Sequence, residues 1–371
     1  MSGQQKEFEL PIIYLRGTHY EMGAQLGEAR RDEIHAAVGL VQKEVERVST
    51  IEAALSRAAE YVPAIEAVAP RYIEEVRGLA TGARISFNEA LLLQLRFEAV
   101  GFDTASGFGT ASAATPQLAE GCSSFAYMHA GQRVTGQNVD IPPAHLSMGQ
   151  IVHMEPPAGP RLLFYTYYAG LLGYLGINSE GLSVFGNALL SPGWRKGFPR
   201  YFMLRLALEQ STVDDVERLL QSVKRASTIN LLVTDRYRTI ADFELAVDDY
   251  ARLPARDGSI FHTNHYLAEK LKPGEQLTKI LPDSPRRWTA GSTLLATPID
   301  QTGDPLQRAQ AILKDHTNYP AAICRHAAEP PRTITDAWVT VVSLIAQPDA
   351  GLLSVCPGNP CAGDYVSYEL Q

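Results

Sequence analysis

Cysteine is scarce in this sequence: Cys122, Cys324, Cys356 and Cys361 are the four in a chain of 371 residues. So few thiols at such uneven spacing argue against a disulfide framework and for reduced side chains. Clusters of positive charge are also lacking. The formal net charge is -8, and 33 Lys and Arg are scattered among 41 Asp and Glu, so no nucleic-acid partner is expected. Apolar runs such as "WVTVVSLIA" fall far short of the roughly 20 residues that cross a bilayer, so no membrane partner is expected either. The opening "MSGQQKEFEL" lacks a basic region followed by an apolar one, and the expectation is a cytoplasmic protein. Phosphate-binding loops are missing too: "GLLGYLG" at 170–176 has neither the lysine nor the following helix that such a loop requires.

What is present is ordinary globular composition, 45% hydrophobic and 20% charged, enough for one large core or two smaller ones. Residues 20–100 read as helical. In "MGAQLGEARRDEIHAAVGLVQKEVERV", Met22, Leu26, Ile34, Val38, Val41, Val45 and Val48 form one apolar stripe. Further helices are expected over 51–79 and from Asn88, read as a cap, to Val100. "GFDTASGFGTASAATPQLAEG" then reads as a loop or linker. From Ser123 the texture turns to β-rich runs, "SSFAYMH", "GQIVHME", "RLLFYTYY" and "GLSVFGN". A helical pair follows, its second member opened by Ser211 with Asp214 three residues on. Strands return at "INLLVTD", "TIADFELA" and "SIFHTNHYL"; after a helical stretch including "PLQRAQAILKD" come a last hairpin, "WVTVVSLIAQPDAGLLSVCPGN", and an edge strand, "DYVSYEL". Runs of strands and runs of helices, without strict alternation, predict an α+β layering.

Cys122 stands where helices give way to strands, directly after Gly121. A free cysteine is usually a small buried apolar group; as a nucleophile it needs a base nearby. His129 lies an odd number of residues along the expected strand, on the opposite face. His262, His265, His316 or His326 would have to approach through the fold. A second route needs no imidazole. Cutting the Gly121–Cys122 bond frees an α-amine with an ordinary pKa of about 7.7 to 8.0, on the same residue as the thiol. Glycine at 121 leaves its carbonyl unobstructed. A zinc site drawn from His262, His265, Cys324 and His326 is weighed and set aside, because the two-residue "HTNH" spacing fits no usual ligand pattern. No metal and no cofactor are expected.

"GCSSFAYMHAGQRVTGQNVD", "RGTHYEMGAQLG", "HTNHY" at 262–266, "YPAAICRH" at 319–326 and "GNPC" at 358–361 together resemble the acyl-coenzyme A:6-aminopenicillanic acid acyltransferase family of self-processing N-terminal-nucleophile (Ntn) hydrolases. Val139 replaces the family's usual aromatic residue before Asp140. The resemblance implies an αββα sandwich and a cut between Gly121 and Cys122. Residues 1–121 would then be a helical segment and linker that stays bound as a partner, and residues 122–371 the catalytic segment, in one compact unit. It further implies Cys122 as nucleophile, Asp140 beside the new amine, Asn264 donating its amide to the oxyanion, and Arg325 as a nearby positive charge. Residue by residue, plainer readings stand beside these: a turn residue for Asp140, a strand-end asparagine for Asn264, a surface ion pair for Arg325, and core packing for Cys324 and Cys361. The implied substrate is a small N-acyl amide or peptide-like molecule. Hydrolysis is the primary reading, with coenzyme A-dependent N-acylation or a catalytically inactive binding relative as alternatives.

Overall fold

The computed structural model describes residues 10–99, 120–297 and 304–371. Most of the expected linker, residues 101–119, lies outside them, as does Val100 at the expected end of the helix before it. The expected stripe is buried at Met22, Leu26, Ile34, Val38, Val41 and Val45, but two helices carry it: α1 (His19–Ala29) and α2 (Arg31–Glu46), with the break at Arg30. Thr18 caps α1 in a reciprocal box with Glu21. Helix α1 lies against α5 (Pro70–Ala83) backbone to backbone: a Cβ on Gly23 would fall 2.0 Å from the Glu75 carbonyl oxygen, and one on Gly78 1.9 Å from that of Tyr20. Only glycine admits that approach. Between them run α3 (Ile51–Ala59) and α4 (Val62–Glu66). The next helix, α6 (Phe87–Ala99), is capped by Ser86, not Asn88, because the Ser86 hydroxyl accepts from Glu89 N–H and the Glu89 carboxylate accepts from Ser86 N–H.

A strand that periodicity did not predict, β1 (Ile12–Arg16), pairs in parallel with β4 (Gln150–Glu155). Five residues of alternating burial are too short a signal to stand out before a long helical run. This strand starts an eight-stranded sheet, continued by β5 (Leu162–Thr166), β6 (Leu175–Asn178), β7 (Ser183–Ala188), β8 (Ile229–Thr234), β9 (Ile240–Leu245) and β10 (Tyr250–Pro254). The second sheet has six strands in the order β11 (Ser259–His262), β2 (Gly121–His129), β3 (Gln132–Ile141), β12 (Val339–Gln347), β13 (Leu352–Pro357) and β14 (Val366–Glu369), so "DYVSYEL" does supply an edge.

The two sheets face each other through contacts of β2 with β7 and β8, β3 with β7, and β6 with β13. Helix α7 (Arg200–Leu208) covers the large sheet at β6 and β7; α9 (Ser284–Ala296) and α10 (Pro305–Leu313) cover the small sheet at β2, β3, β11 and β12. The molecule is therefore the expected α+β, helix–sheet–sheet–helix sandwich. Helix α8 (Val213–Ser222) starts one residue later than expected, since Thr212, not Ser211, is the extended residue whose hydroxyl reaches Asp215 N–H. No helix among the described residues is long and apolar enough to cross a membrane.

Candidate active site

Strand register gathers the candidate residues. In the antiparallel pair β2–β3, Gly121 faces Asp140 and Cys122 faces Val139; in β3–β12, Asp140 faces Thr340. On the other side of β2, His262 of β11 faces Ser124, which carries Asn264, two residues past the strand end, to the level of Cys122. Asn264 Oδ1 accepts from the Cys122 backbone N–H at 2.8 Å. Alternation along β2 turns Ser124 toward the large sheet, where it bonds Asn187, and Phe125 and Tyr127 toward α9 and α10. Cys122 shares the face of Ser124, between the sheets, and is completely buried.

Asp140 lies on the other face, beside the glycine. A Cβ on Gly121 would meet Asp140 Cβ at 3.2 Å and its carbonyl oxygen at 3.3 Å, so close approach is what this position requires. Thr340 donates to Asp140 Oδ1 at 2.7 Å, and the Arg325 guanidinium stands 3.6 Å from Oδ2. Among the described residues Oδ2 has no hydrogen-bond partner. Burial pushes the Asp140 carboxyl up to about 6, against the pull of Arg325 and Arg287 and the Thr340 hydroxyl. Burial, with the negative charges of Glu120 and Asp140, also pushes the Cys122 thiol well above the ordinary thiol range; Arg287 opposes it. In these surroundings the sulfur is held as the neutral thiol.

No candidate imidazole is turned toward it. His129 is at the far end of β2, about 23 Å away at the usual rise per residue. His262 is bound to Glu244 at 2.9 Å, His265 to Ser284 at 2.9 Å, and His316 to His326 at 3.1 Å. Buried carboxylates of Asp242 and Glu244 outweigh desolvation at His262 and raise it to about 9, the state of a structural imidazolium.

Asn264 is against Cys122 with its oxygen, not its NH2, foremost. The NH2 group donates to the carbonyls of Ala188 at 3.1 Å and Glu120 at 3.3 Å. Oδ1 receives two donors, Cys122 N–H and Arg287 Nη2 at 2.9 Å, so turning the amide over would set NH2 against both. Arg325 does not sit on Cys122; it joins Asp140 to Asp283. The arginine at the cysteine is Arg287, on the first turn of α9, which donates to the Cys122 carbonyl at 2.6 Å and to Ser123 Oγ at 2.9 Å while Asp283 holds its Nε at 2.6 Å. Sequence reading missed Arg287, Asp283 and Thr340, which carry no local signal.

It missed Glu120 as well. This carboxylate, two residues before Cys122, is buried and bound by Tyr167 at 2.6 Å, Tyr201 at 2.7 Å, Arg96 at 3.1 Å and Arg200 at 3.3 Å. Burial works against its charge, yet Arg200, Arg96 and the two phenols prevail and hold the carboxyl below the usual range. A signal existed: Glu120 is the one Asp, Glu, Lys or Arg between Asp103 and Arg133. Arg96 belongs to α6 and also binds Glu44 of α2 at 2.9 Å, so the N-terminal helices grip the chain just ahead of Gly121.

Comparison with known proteins finds relatives of this chain. Residues 128–361 match the family described as acyl-coenzyme A:6-aminopenicillanic acid acyl-transferase. The chain is 28% identical over 319 residues to the acyl-coenzyme A:6-aminopenicillanic-acid-acyltransferase 40 kDa form of Emericella nidulans, covering 84% of each chain. It is 27% identical over 227 residues, 57% of each chain, to the β-alanyl-dopamine/carcinine hydrolase of Drosophila melanogaster. Penicillin V acylase from Agrobacterium tumefaciens superposes with a TM-score of 0.46 at 12% identity, over 67% of this chain and 86% of that one. With the match spanning more than half its length, this chain belongs to the acyl-coenzyme A:6-aminopenicillanic acid acyl-transferase family, enzymes of amide hydrolysis or acyl transfer.

Proposed function

We propose that this protein cuts itself between Gly121 and Cys122 and then works as a cysteine amidohydrolase on a linear N-acyl amide or small peptide-like substrate. The observation that carries the reading is the setting of Cys122: a buried thiol whose own backbone nitrogen is held by Asn264, with no imidazole beside it and, next to Gly121, an Asp140 carboxylate oxygen that has no hydrogen bond among the described residues. In processing, the Cys122 sulfur attacks the Gly121 carbonyl carbon, the C–N bond breaks, and the thiol proton ends on the new α-amine. Water then hydrolyses the thioester, giving a Gly121 carboxylate and a free Cys122 thiol.

In turnover, the α-amine takes the thiol proton as sulfur attacks the substrate carbonyl and returns it to the leaving amine. Water resolves the acyl thioester to an acid. Asn264 Oδ1 orients the amine through the contact it already makes, and its NH2 donates to the oxyanion once a substrate carbonyl replaces that of Glu120. Asp140, steadied by Arg325 and Thr340, offers Oδ2 to the ammonium form. The cut segment stays bound through β1 on β4 and through Glu120, which Arg200, Tyr167 and Tyr201 of the other segment hold. Cys122, Asp140 and Asn264 stand together, which supports catalysis over a purely binding role.

Acyl transfer is the second reading, favoured by the activity named for the Emericella relative. Against it stand the scattered basic residues and net charge of -8, which offer no general attraction for the phosphates of coenzyme A. Two measurements test these readings. Intact mass after incubation near about pH 8, where an α-amine is half free, is expected to show chains 1–121 and 122–371; a chain that stays whole overturns self-processing. Mature protein is then given a panel of N-acyl amides with and without acyl-coenzyme A and free amines. Free acid and amine without coenzyme A support hydrolysis; product only when acyl-coenzyme A is supplied overturns it.

A further inference from the structure

The sequence motifs "YPAAICRH" and "GNPC" have no part in the chemistry at Cys122 beyond Arg325, yet the fold joins them. His316, just after α10, Cys324 and His326 in the following loop, and Cys361 in the loop between β13 and β14 bring one ligand atom each into a cluster whose members all lie within 4.8 Å of one another. His316 Nε2 is 3.1 Å from His326 Nε2, and His326 Nε2 is 3.6 Å from Cys324 Sγ and 3.5 Å from Cys361 Sγ.

The three separations at His326 Nε2 match edges of a zinc tetrahedron. With Zn–N of about 2.05 Å and Zn–S of about 2.3 Å, tetrahedral angles put two nitrogens about 3.3 Å apart and a nitrogen and a sulfur about 3.5 Å apart. Two sulfurs and two imidazole nitrogens are also the donor set that selects Zn2+ over hard cations such as Mg2+ or Ca2+. Core packing does not explain the group: Cys324 is buried, but Cys361 and His316 are exposed, contrary to the expectation for Cys361. The ligand set weighed from sequence held the right Cys324 and His326 but the wrong His262 and His265, which are bound to Glu244 and Ser284.

We infer that His316, Cys324, His326 and Cys361 form a structural Cys2His2 zinc site. Four protein ligands close the coordination sphere, so the ion has no open position for catalysis. The surroundings suit it: Asn359 donates to Cys324 Sγ at 3.5 Å, a partner for a thiolate, and through the same amide to the Arg325 carbonyl at 2.7 Å. That carbonyl also accepts from Thr340 N–H at 3.0 Å. The zinc therefore staples the 358–361 turn to the 315–326 loop and fixes the backbone of Arg325, the residue that faces Asp140 and Asp283.

The test uses the full-length protein, purified under reducing conditions without a metal-affinity step. Elemental analysis is expected to find one zinc per chain. Its removal by a chelator should lower the thermal midpoint, and Zn2+ alone should restore it. Cys361→Ser, at an exposed position, should lose the ion and the response to added Zn2+ while remaining folded by circular dichroism. Co2+ in place of zinc should give the visible bands of a tetrahedral thiolate site. Overturning results are equally clear: no stoichiometric zinc and no change of midpoint with chelator or Zn2+, full zinc retention by Cys361→Ser, or unreduced protein lighter by two hydrogens through a Cys324–Cys361 disulfide.

Discussion

Cys122 and the pair Cys324 and Cys361 have the same side chain in opposite surroundings. Cys122 is sealed between two sheets, where ladder register brings Asn264 and the flanking carboxylates of Glu120 and Asp140 to it. Cys324 and Cys361 sit on loops, one buried and one exposed, and meet two histidines instead. The difference teaches that a thiol's role is set by its neighbours. A carbonyl next door, the amine a cut would free and a buried field suit the acyl-acceptor role proposed for Cys122; two imidazoles and an opening to water suit the metal-ligand role proposed for the pair.

Exchanging the thiols is the sharpest way to break this comparison. Cys122→Ala should leave one uncut chain by intact mass and lower turnover by at least about 10^4-fold, as loss of a nucleophile does. Cys361→Ser should still yield both chains. Asn264→Ala comes next: kcat should fall about 10^2- to 10^3-fold in a protein that still folds, the scale for losing one transition-state donor. Wild-type rates in steady-state assays would remove Asn264 from the site. Glu120→Gln keeps the shape but leaves buried Arg96 and Arg200 short of a counter-charge, and unfolding by denaturant should show a loss of about 3 kcal/mol. An unchanged midpoint would mean that Glu44 at Arg96 and Glu98, which accepts from the Arg200 backbone N–H at 3.0 Å, suffice for the two arginines.

The smallest expected effect is in pH. Asp140 is raised to about 6 by burial, against Arg325, Arg287 and Thr340, with Asp283 adding to the rise. An unfolded aspartate titrates near about 3.9. Between these values the folded chain holds the extra proton, so this group's contribution to stability is full below the lower value and declines as pH rises through about 6. Turnover, in which the proposed role of Asp140 is to hold the ammonium form as a carboxylate, should run the other way and speed up as pH passes about 6. Asp140→Asn should be slower throughout and lose that rise; the same rise in the variant would assign it to another group.

Legibility followed the range of the interactions. The α1–α2 stripe, the strands β2, β4, β5, β7, β8, β9 and β11 named by their β-rich runs, and the closing hairpin were readable because apolar residues recur or run together within a few residues, whereas no such run was named for β3, β6 or β10. Strand β1 was not, since its partner β4 lies well over a hundred residues away. Caps were off by one at Thr212 and by two at Ser86, because only backbone conformation tells which of several polar residues is the cap. At the candidate site, the family resemblance named Cys122, Asp140 and Asn264, which the fold brings together, while Arg287, Asp283 and Thr340 carried no signal.

The sequence by itself determined the helical stripe and most of the strands, that a cysteine would follow a glycine at the start of a strand, and that several ordered motifs belong to one family. Those properties reside in neighbouring residues and their periodicity. Only the tertiary structure decided that Asn264 meets Cys122 by its oxygen, that Arg325 holds Asp140 and Asp283 while Arg287 takes the place at the cysteine, and that His316 and Cys361 join Cys324 and His326. Each of these meetings closes a loop of the chain and depends on strand register and helix placement across the whole core, and neither is written in the spacing of the residues that meet.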